Sequence, residues 1–273
     1  MTASPLVDTA VDHAPAQVAT RPAPAPIPFS RLLKVELVKM FNTRAGYWLM
    51  VGIAATALIA TASVILFAPD SALTYDSFGA AIGVPMTLLL PIMAILSVTS
   101  EWTQRSGLTT FTLVPHRGRV IRAKAVVAMA LGAVSILVAL AIGALGNLLG
   151  STIAGVDTVW DISASQIGYL LFANVLNLLV GFMLGVLIRN SPGAIVGFVV
   201  YSFVLPTLSL VLGNFQDWWK DSRPWLDFNW AQGELYDGHL TSTEWAQLGT
   251  SGLIWLVVPL VVGLVMVMRS EVK

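Results

Sequence analysis

The sequence predicts an all-α integral membrane protein with six transmembrane helices, an N-terminal amphipathic interfacial helix and both termini in the cytoplasm. Apolar residues make up 56% of the 273 residues and charged residues only 11%, whereas soluble domains carry about 25% charged residues. Six uncharged runs of roughly 20 residues or more are long enough to cross a hydrocarbon core of about 30 Å. Lysine and arginine concentrate in alternate connecting segments, which predicts the orientation.

The N-terminal region divides into a tail and a helix. Residues 1–28 contain six prolines and few large apolar residues, so they are predicted to be a disordered cytoplasmic tail. Residues 29–45 have helical periodicity, with Phe29, Leu33, Leu37 and Met40 on one face. Such a helix is expected to lie in the membrane interface. The alternative, a soluble helix packed on a domain, lacks a soluble domain in this chain to receive it.

The six apolar runs define a predicted transmembrane domain within residues 29–273. A chain in lipid must satisfy its own backbone hydrogen bonds, so each run is predicted to be a helix. Prolines within or at the ends of the runs predict local kinks; they are Pro85, Pro91, Pro206 and Pro259. The runs are residues 46–68, 77–99, 125–149, 166–188, 194–212 and 249–268.

The polar residues within these runs are uncharged. No Asp, Glu, Lys, Arg or His lies inside any run, which disfavours a proton-coupled carrier. Most of the milder polar residues are predicted to form helix–helix hydrogen bonds, and some could line a path for an amphipathic substrate. They are Thr56, Thr61, Thr87, Ser97, Asn147, Asn174, Asn177, Ser202 and Thr207. Glycine pairs at four-residue spacing, such as Gly79 with Gly83 and Gly181 with Gly185, predict close helix packing, mainly within the chain.

The distribution of basic residues predicts that both termini are cytoplasmic. With the N-terminus inside, 13 of the 15 Lys and Arg residues fall in cytoplasmic segments, and only Lys220 and Arg223 lie outside. The external segment of residues 213–248 contains five of the nine tryptophans. Because tryptophan settles at the membrane–water boundary, this segment is predicted to form short helices that dip into the outer leaflet or cap the bundle. An ordinary external loop is the alternative. Thr241 and Glu244 have the spacing of a capping box.

The cytoplasmic segment of residues 100–124 is a polar, basic island between two apolar runs. It holds five of the 15 Lys and Arg residues and is long for a connection between membrane helices. Its sequence favours an apolar helix at residues 108–114, a break at Pro115 and a second helical piece from Arg117 to Lys124. This arrangement predicts a docking surface for a separate cytoplasmic protein.

Sequence motifs for several kinds of chemistry are absent. The chain contains no GxxxxGK[ST] phosphate loop, no HExxH and no GxSxG. It contains no cysteine, and its three histidines, His13, His116 and His239, are far apart in sequence. No catalytic residue, metal site or nucleic-acid partner is therefore predicted.

Four features resemble the membrane subunit of bacterial ABC exporters of the second class, whose fold is shared with the type V exporters. VELVKMFNTRAGYWL resembles the family's elbow helix, with its Glu36-x-x-Lys39, and EWTQRSGLTTFTLVPHRGRVIRAKAV resembles the loop between spans two and three. RNSPGA resembles the short turn between spans four and five, and the enlarged segment between spans five and six matches the family's layout. In the loop, Gly107-Leu108-Thr109 departs from the family's Gly-Thr pair.

The resemblance implies a pair of six-span subunits, with a second copy or a paralogue, in a bacterial plasma membrane. Two separate cytoplasmic ATPase subunits would carry ATP and Mg²⁺, and this chain would bind no cofactor itself. The loop of residues 100–124 would be the coupling loop, and spans two and five would line the translocation path. The implied coupling residues are Glu101, Arg105, Leu108, Phe111, Leu113, His116, Arg117 and Arg119. The implied path residues are Thr87, Pro91, Met93, Ser97, Tyr201 and Pro206.

The function expected from this resemblance is ATP-driven export of an amphipathic drug, antibiotic, peptide or lipid-linked substrate. Two alternatives remain open at the level of sequence. One is a scaffold or sensor subunit that transports nothing. The other is an intramembrane enzyme acting on lipid, which is disfavoured because no nucleophile or paired carboxylates lie within reach of the membrane interior.

Overall fold

The computed structural model describes residues 27–103 and 117–269, which are almost entirely helical. One isolated parallel bridge joins Thr74 and Val159, and short 3₁₀ turns lie at Asp70–Ala72 and Glu234–Asp237. The helices in chain order are α1 (Phe29–Asn42), α2 (Arg44–Phe67), α3 (Tyr75–Thr103), α4 (Arg117–Ala154), α5 (Ala164–Ile188), α6 (Ser191–Phe215), α7 (Asp217–Leu226), α8 (Phe228–Gly233) and α9 (Ser242–Arg269).

Six of these helices, α2 to α6 and α9, are long and apolar enough to cross a membrane. This confirms the number and order of the six predicted spans and supports a multi-pass membrane protein. The observed helices extend past several of the apolar runs. In particular, α4 has 38 residues, which corresponds to about 57 Å at 1.5 Å per residue. Because a hydrocarbon core is only about 30 Å thick, α4 extends well beyond it and carries Arg119, Arg122 and Lys124 in its first turns.

The centre of the bundle is formed by α3 and α5. These two helices pack against each other along their length, with α2 and α4 beside α3 and with α4, α6 and α9 beside α5. Half of the residues in the most apolar 18-residue stretch of α5 are buried, compared with 11% in α2 and 17% in α6. The outward faces of α2 and α6 are therefore apolar surfaces available to lipid or to another protein.

Glycine allows the close approach of α3 and α5. A Cβ atom added at Gly181 would lie 2.6 Å from the carbonyl oxygen of Pro91, and one at Gly185 would lie 3.3 Å from Ile95. This confirms packing within the chain for that glycine pair. Gly83 differs, because a Cβ atom there would meet nothing within 4 Å.

Polar residues inside the bundle form two kinds of hydrogen bond. Asn174 donates to the carbonyl of Gly132 on α4 at 2.8 Å, and Asn177 donates to that of Thr87 on α3 at 2.6 Å. These are the predicted helix–helix bonds. The threonine hydroxyls of Thr56 and Thr61 instead donate to carbonyls of their own helix. A threonine inside a membrane helix can satisfy its hydroxyl locally in this way.

Two of the four prolines at which kinks are predicted lie just after π-helical turns. Pro206 follows a π-helical turn at Val200–Val204, and Pro259 follows one at Leu253–Val257. Proline has no N–H to donate to the preceding turn, and a local π-helical adjustment is one way in which a membrane helix accommodates it. Pro85 and Pro91 lie within an uninterrupted α3.

The segment between α6 and α9 is helical, as predicted, and forms one end of the bundle, here called the Trp-rich end. Trp219 Nε1 donates to the carbonyl of Ser209 on α6 at 3.0 Å, and Trp255 Nε1 donates to that of Leu226 at 2.7 Å. Thr241 and Glu244 form the predicted capping box at the start of α9. These tryptophan bonds attach α7 to both neighbouring spans, and Asn229 on α8 donates to the Tyr201 carbonyl on α6 at 3.0 Å. This favours a capping segment over a free loop.

Candidate functional site

Four charged side chains meet where α1, the end of α3 and the start of α4 come together, at the end of the bundle opposite the Trp-rich end. Lys124 Nζ lies 2.5 Å from Glu36 Oε2 and 3.3 Å from Glu101 Oε1. Lys39 Nζ lies 3.0 Å from Glu36 Oε1 and 3.3 Å from Glu101 Oε1. Each lysine therefore bridges both glutamates. We call these four residues the charge cluster.

The charge cluster is neutral as a whole and largely excluded from solvent. Glu36, Glu101 and Lys124 each expose 5% or less of their surface, whereas the Lys39 side chain is nearly half exposed. A buried charge is tolerated only when it is paired and hydrogen-bonded. Two carboxylates and two ammonium groups meet this requirement without a further ion.

Lys39 is the member of the cluster that borders solvent. Burial lowers the pKa of its ammonium group, but the nearby carboxylates of Glu36 and Glu101 outweigh this effect and raise the pKa above its ordinary value of 10.5. The stabilisation from this raised pKa is fully present below pH 10.5 and is lost as the pH rises through the higher folded-state pKa. Lys39 is therefore charged throughout the physiological range.

Lys124 also binds the backbone of α3. Its Nζ donates to the carbonyl of Ser97 at 2.9 Å. An ammonium group has three donors, so Lys124 can bind this main-chain carbonyl in addition to the two carboxylates. Lys124 on α4 thus holds the last turns of α3 through both a side chain and the main chain.

The orientation of α1 brings Glu36 into the cluster. The buried residues of α1 are Leu32, Glu36 and Met40, at four-residue spacing, and α1 packs mainly against α4. Of the apolar face predicted from sequence, Met40 is buried and Leu33 is half-buried, whereas Phe29 and Leu37 are exposed. The sequence analysis placed Glu36 only at the border of that face. The sequence does contain a signal for this buried face: Glu36 lies between Leu32 and Met40 at four-residue spacing, which places all three on one side of the helix.

A cavity of about 320 Å³ borders the cluster. It lies between α1, the start of α2, the second half of α3 and the first residue of α6. Glu36, Lys39 and Glu101 line it together with the predicted path residues Met93 and Ser97. The structure therefore brings two predicted groups, the elbow residues and part of the path, to one cavity.

The other predicted path residues lie elsewhere. Thr87 lines a different, larger cavity on the Trp-rich side. Pro91 is buried against Gly181, Tyr201 is buried between α6 and the Trp-rich end, and Pro206 follows the π-helical turn of α6. The six residues do not line one common cavity within a single chain.

Much of the predicted coupling loop lies outside the described residues. This applies to Arg105, Leu108, Phe111, Leu113 and His116, and to the side chain of Arg117. Arg119 is described, and its guanidinium donates to the carbonyl of Ile27 at 2.6 Å. Arg119 therefore attaches the start of α4 to the residues that lead into α1, a structural contact that the sequence analysis did not predict.

The larger cavity measures about 560 Å³ and lies among α3, α4, α5, α6 and α8. Polar groups that line it include Asp76, Gln166, Asn177 and Gln232. The Gln232 side chain is buried, and its Nε2 has no hydrogen-bond partner among the residues that the structure describes. We call this space the Trp-side cavity.

Comparisons with known proteins do not add a functional assignment. No protein-family model matches the sequence, and a search of curated proteins finds no significantly similar sequence. The function is therefore argued from the geometry of the charge cluster and of the two cavities.

Proposed function

We propose that this chain is the transmembrane subunit of an ATP-driven exporter and that its energy comes from a separate cytoplasmic ATPase. The observation that carries the proposal is the charge cluster. Its members lie on α1, at the end of α3 and at the start of α4, so they surround the two points where residues 104–116 join the bundle. A force applied to residues 104–116 would therefore act on α1, α3 and α4 together.

The physical argument concerns stiffness. Breaking a buried ion pair by removing one partner costs about 3–5 kcal/mol, so the cluster resists separation of the helices that it joins. A push on residues 104–116 would then move the ends of α3 and α4 together with α1, rather than unravel the last turns of α3. Movement of α3 and α1 would change the cavity lined by Met93, Ser97 and Glu101. Movement of residues 104–116 would thereby change the shape of a cavity that could admit a substrate.

The partners follow from the same proposal. The ATPase subunits would carry ATP and Mg²⁺, since the sequence has no phosphate loop. The exposed apolar faces of α2 and α6 offer a surface for a second permease subunit. A second copy of this chain and a paralogue are both compatible with the pattern in one chain. The membrane in this proposal is a bacterial plasma membrane, with the charge cluster and both termini on the cytoplasmic side.

A scaffold or sensor subunit is the main alternative function. It would share the spans and the charge cluster, but it would not need a cavity in contact with the cluster. A lipid-acting enzyme is less well supported, because the two buried carboxylates of the cluster are neutralised by lysines and no serine nucleophile is hydrogen-bonded to them among the described residues.

The orientation can be tested by thiol labelling, since the chain has no cysteine of its own. We expect a membrane-impermeant maleimide to label Asp221→Cys in intact cells and to label Arg117→Cys only after the cells are opened. Asp221 lies on the exposed surface of α7, and Arg117 is the first residue of α4. Labelling of Arg117→Cys in intact cells would contradict the proposed topology.

The partner can be tested by co-purification. We expect the tagged chain to retain an ATPase from native membranes, and the double variant Arg105→Glu/Arg117→Glu to retain it several-fold less well. Both residues flank the predicted apolar helix at residues 108–114, and charge reversal at a binding surface weakens association with a partner of complementary charge. Arg119 is left unchanged in this experiment. Its replacement would also remove the bond to the Ile27 carbonyl, so a loss of docking could not be distinguished from a loss of folding.

Arg122→Glu is the matched control for this experiment. Arg122 is exposed on α4, and its side chain bonds only the Gly118 carbonyl of its own helix among the described contacts. We expect it to retain the ATPase at the level of the unmodified chain. Equal retention by the double variant and the unmodified chain would exclude docking through residues 104–117.

A further inference from the structure

The Trp-side cavity has the size and composition of a ligand site. Its volume of about 560 Å³ falls within the range of about 300–1,000 Å³ that is typical of small-molecule pockets. Apolar residues from several helices form most of the wall, including Val84, Leu140 and Phe203. A few polar groups converge on the same space, as expected where orientation of a ligand matters.

One of these polar groups is buried without a partner. Asn174 and Asn177 use their amide nitrogens to bind carbonyls of neighbouring helices, so they are already satisfied as donors. Gln232 on α8 is 7% exposed, and its Nε2 donates to no group within residues 27–103 and 117–269. A buried donor left unpaired is destabilising, because it has lost its bond to water without gaining another. Nε2 itself has almost no accessible surface, so a ligand acceptor would pair with it once the Gln232 side chain turns towards the cavity that it lines.

The charge at the mouth of the cavity is negative. Among the described residues, Asp76 is the only charged one in the cavity wall, and its backbone N–H donates to Asp161 Oδ1 at 2.8 Å. In residues 27–103 and 117–269, neither carboxylate is paired with a basic side chain. Gln166 approaches Asp76 with its amide nitrogen at 3.5 Å. The mouth therefore attracts cations and repels anions.

We propose that the Trp-side cavity binds a cationic amphipathic molecule. Its positive end lies beside Asp76, and its apolar body occupies the space between α3, α4 and α6. The Gln232 side chain turns towards the cavity, and its Nε2 donates to an acceptor oxygen or nitrogen of the ligand. As a substrate site this assignment rests on the proposed transport function and gives that function a substrate class. Of the six path residues predicted from sequence, only Thr87 lines this cavity, so the site is distinct from the path that the sequence implies.

Binding can be measured on the purified full-length chain in phosphatidylcholine nanodiscs, without ATP. The probe is rhodamine 6G, a fluorescent cationic amphipath with an ester carbonyl, and the readout is fluorescence anisotropy. Sulforhodamine B, a related dye with net negative charge, is the matched anionic probe. We expect saturable binding of rhodamine 6G and at least tenfold weaker binding of sulforhodamine B.

Three variants test the three parts of the site. Asp76→Asn is expected to weaken binding of rhodamine 6G about fivefold, since an exposed ion pair contributes up to about 1 kcal/mol. Gln232→Leu is expected to weaken it by a similar factor while leaving the thermal stability of the empty protein unchanged or higher. Gly83→Leu places a side chain in the open space of the cavity, and we expect it to weaken binding about tenfold or more.

Matched controls separate the site from general effects. Asp157→Asn removes an exposed carboxylate that does not line the cavity, and Gly52→Leu adds the same side chain on α2, where a Cβ atom also meets nothing within 4 Å. Both should bind the dye as the unmodified chain does. Equal binding by Gly83→Leu and Gly52→Leu, or equal binding of the two dyes, would overturn the proposal and indicate partition into lipid. Failure to find an ATPase partner would leave this result standing, because the binding assay contains none.

Discussion

Replacing Lys124 with methionine is expected to destabilise the protein by about 3–5 kcal/mol, which is typical when one member of a buried ion pair is removed. Methionine keeps the length and the apolar stem of lysine but leaves the buried carboxylate of Glu36 with only Lys39 as a partner. It also removes the bond to the Ser97 carbonyl. The measurement is the amount of monodisperse protein that survives a temperature series in detergent, read by fluorescence-detected size-exclusion chromatography.

Arg122→Met provides the control for Lys124→Met. Arg122 lies two residues earlier on α4, and it is exposed where Lys124 is buried. We expect its melting temperature to match that of the unmodified chain. We also expect Glu36→Gln to be less harmful in the Lys124→Met background than alone, since it then removes a poorly paired buried charge. Additive effects in this double-mutant cycle would contradict a coupled cluster.

Replacing Gly181 with leucine is expected to abolish folded protein or to reduce its yield severely. Even a Cβ atom at this position would lie 2.6 Å from the Pro91 carbonyl oxygen, which is backbone and cannot rotate away. Overpacking of a well-packed interior costs about 1–3 kcal/mol, and more where backbone must move. Because α3 and α5 form the centre of the bundle, their separation would affect every span. The measurement is the yield of monodisperse protein after extraction from the membrane.

Gly52→Leu is the control for Gly181→Leu, because it is the same substitution on a membrane helix with open space at the Cβ position. We expect a normal yield from this variant. A normal yield from Gly181→Leu would mean that α3 and α5 are not in the close contact described here.

The spans were predictable from the sequence because their signal is local. An uncharged run of about 20 residues specifies a membrane helix with little help from its neighbours. The capping box of Thr241 and Glu244 was predictable for the same reason, since both partners lie within one turn. Helix ends were less well predicted. Charged residues such as Glu101 and Lys124 end an apolar run, yet the helices continue through them because pairing with other elements satisfies their charges.

The charge cluster could be predicted only in part. Glu36, Lys39 and Glu101 were singled out through the resemblance to exporter subunits, but Lys124 was treated only as part of the basic loop. The pairing of Lys124 with Glu36 joins residues 88 positions apart in sequence, and no periodicity within α1 or α4 specifies such a contact. The Trp-side cavity was not predicted for a similar reason. Its wall combines residues of five helices, and the open space beside Gly83 has no signature in sequence.

The central claim is that residues 104–116 receive force from an ATPase, and photocrosslinking at Leu108 tests it most directly. The photoreactive amino acid p-benzoylphenylalanine is placed at Leu108 in the full-length chain, cells are irradiated, and the adduct is identified by mass spectrometry. Arg122 carries the same probe as a control. We predict that Leu108 forms an adduct with a protein that contains a GxxxxGK[ST] phosphate loop and that Arg122 does not. An adduct of Leu108 only with lipid, or with a protein that lacks this motif, would contradict the account.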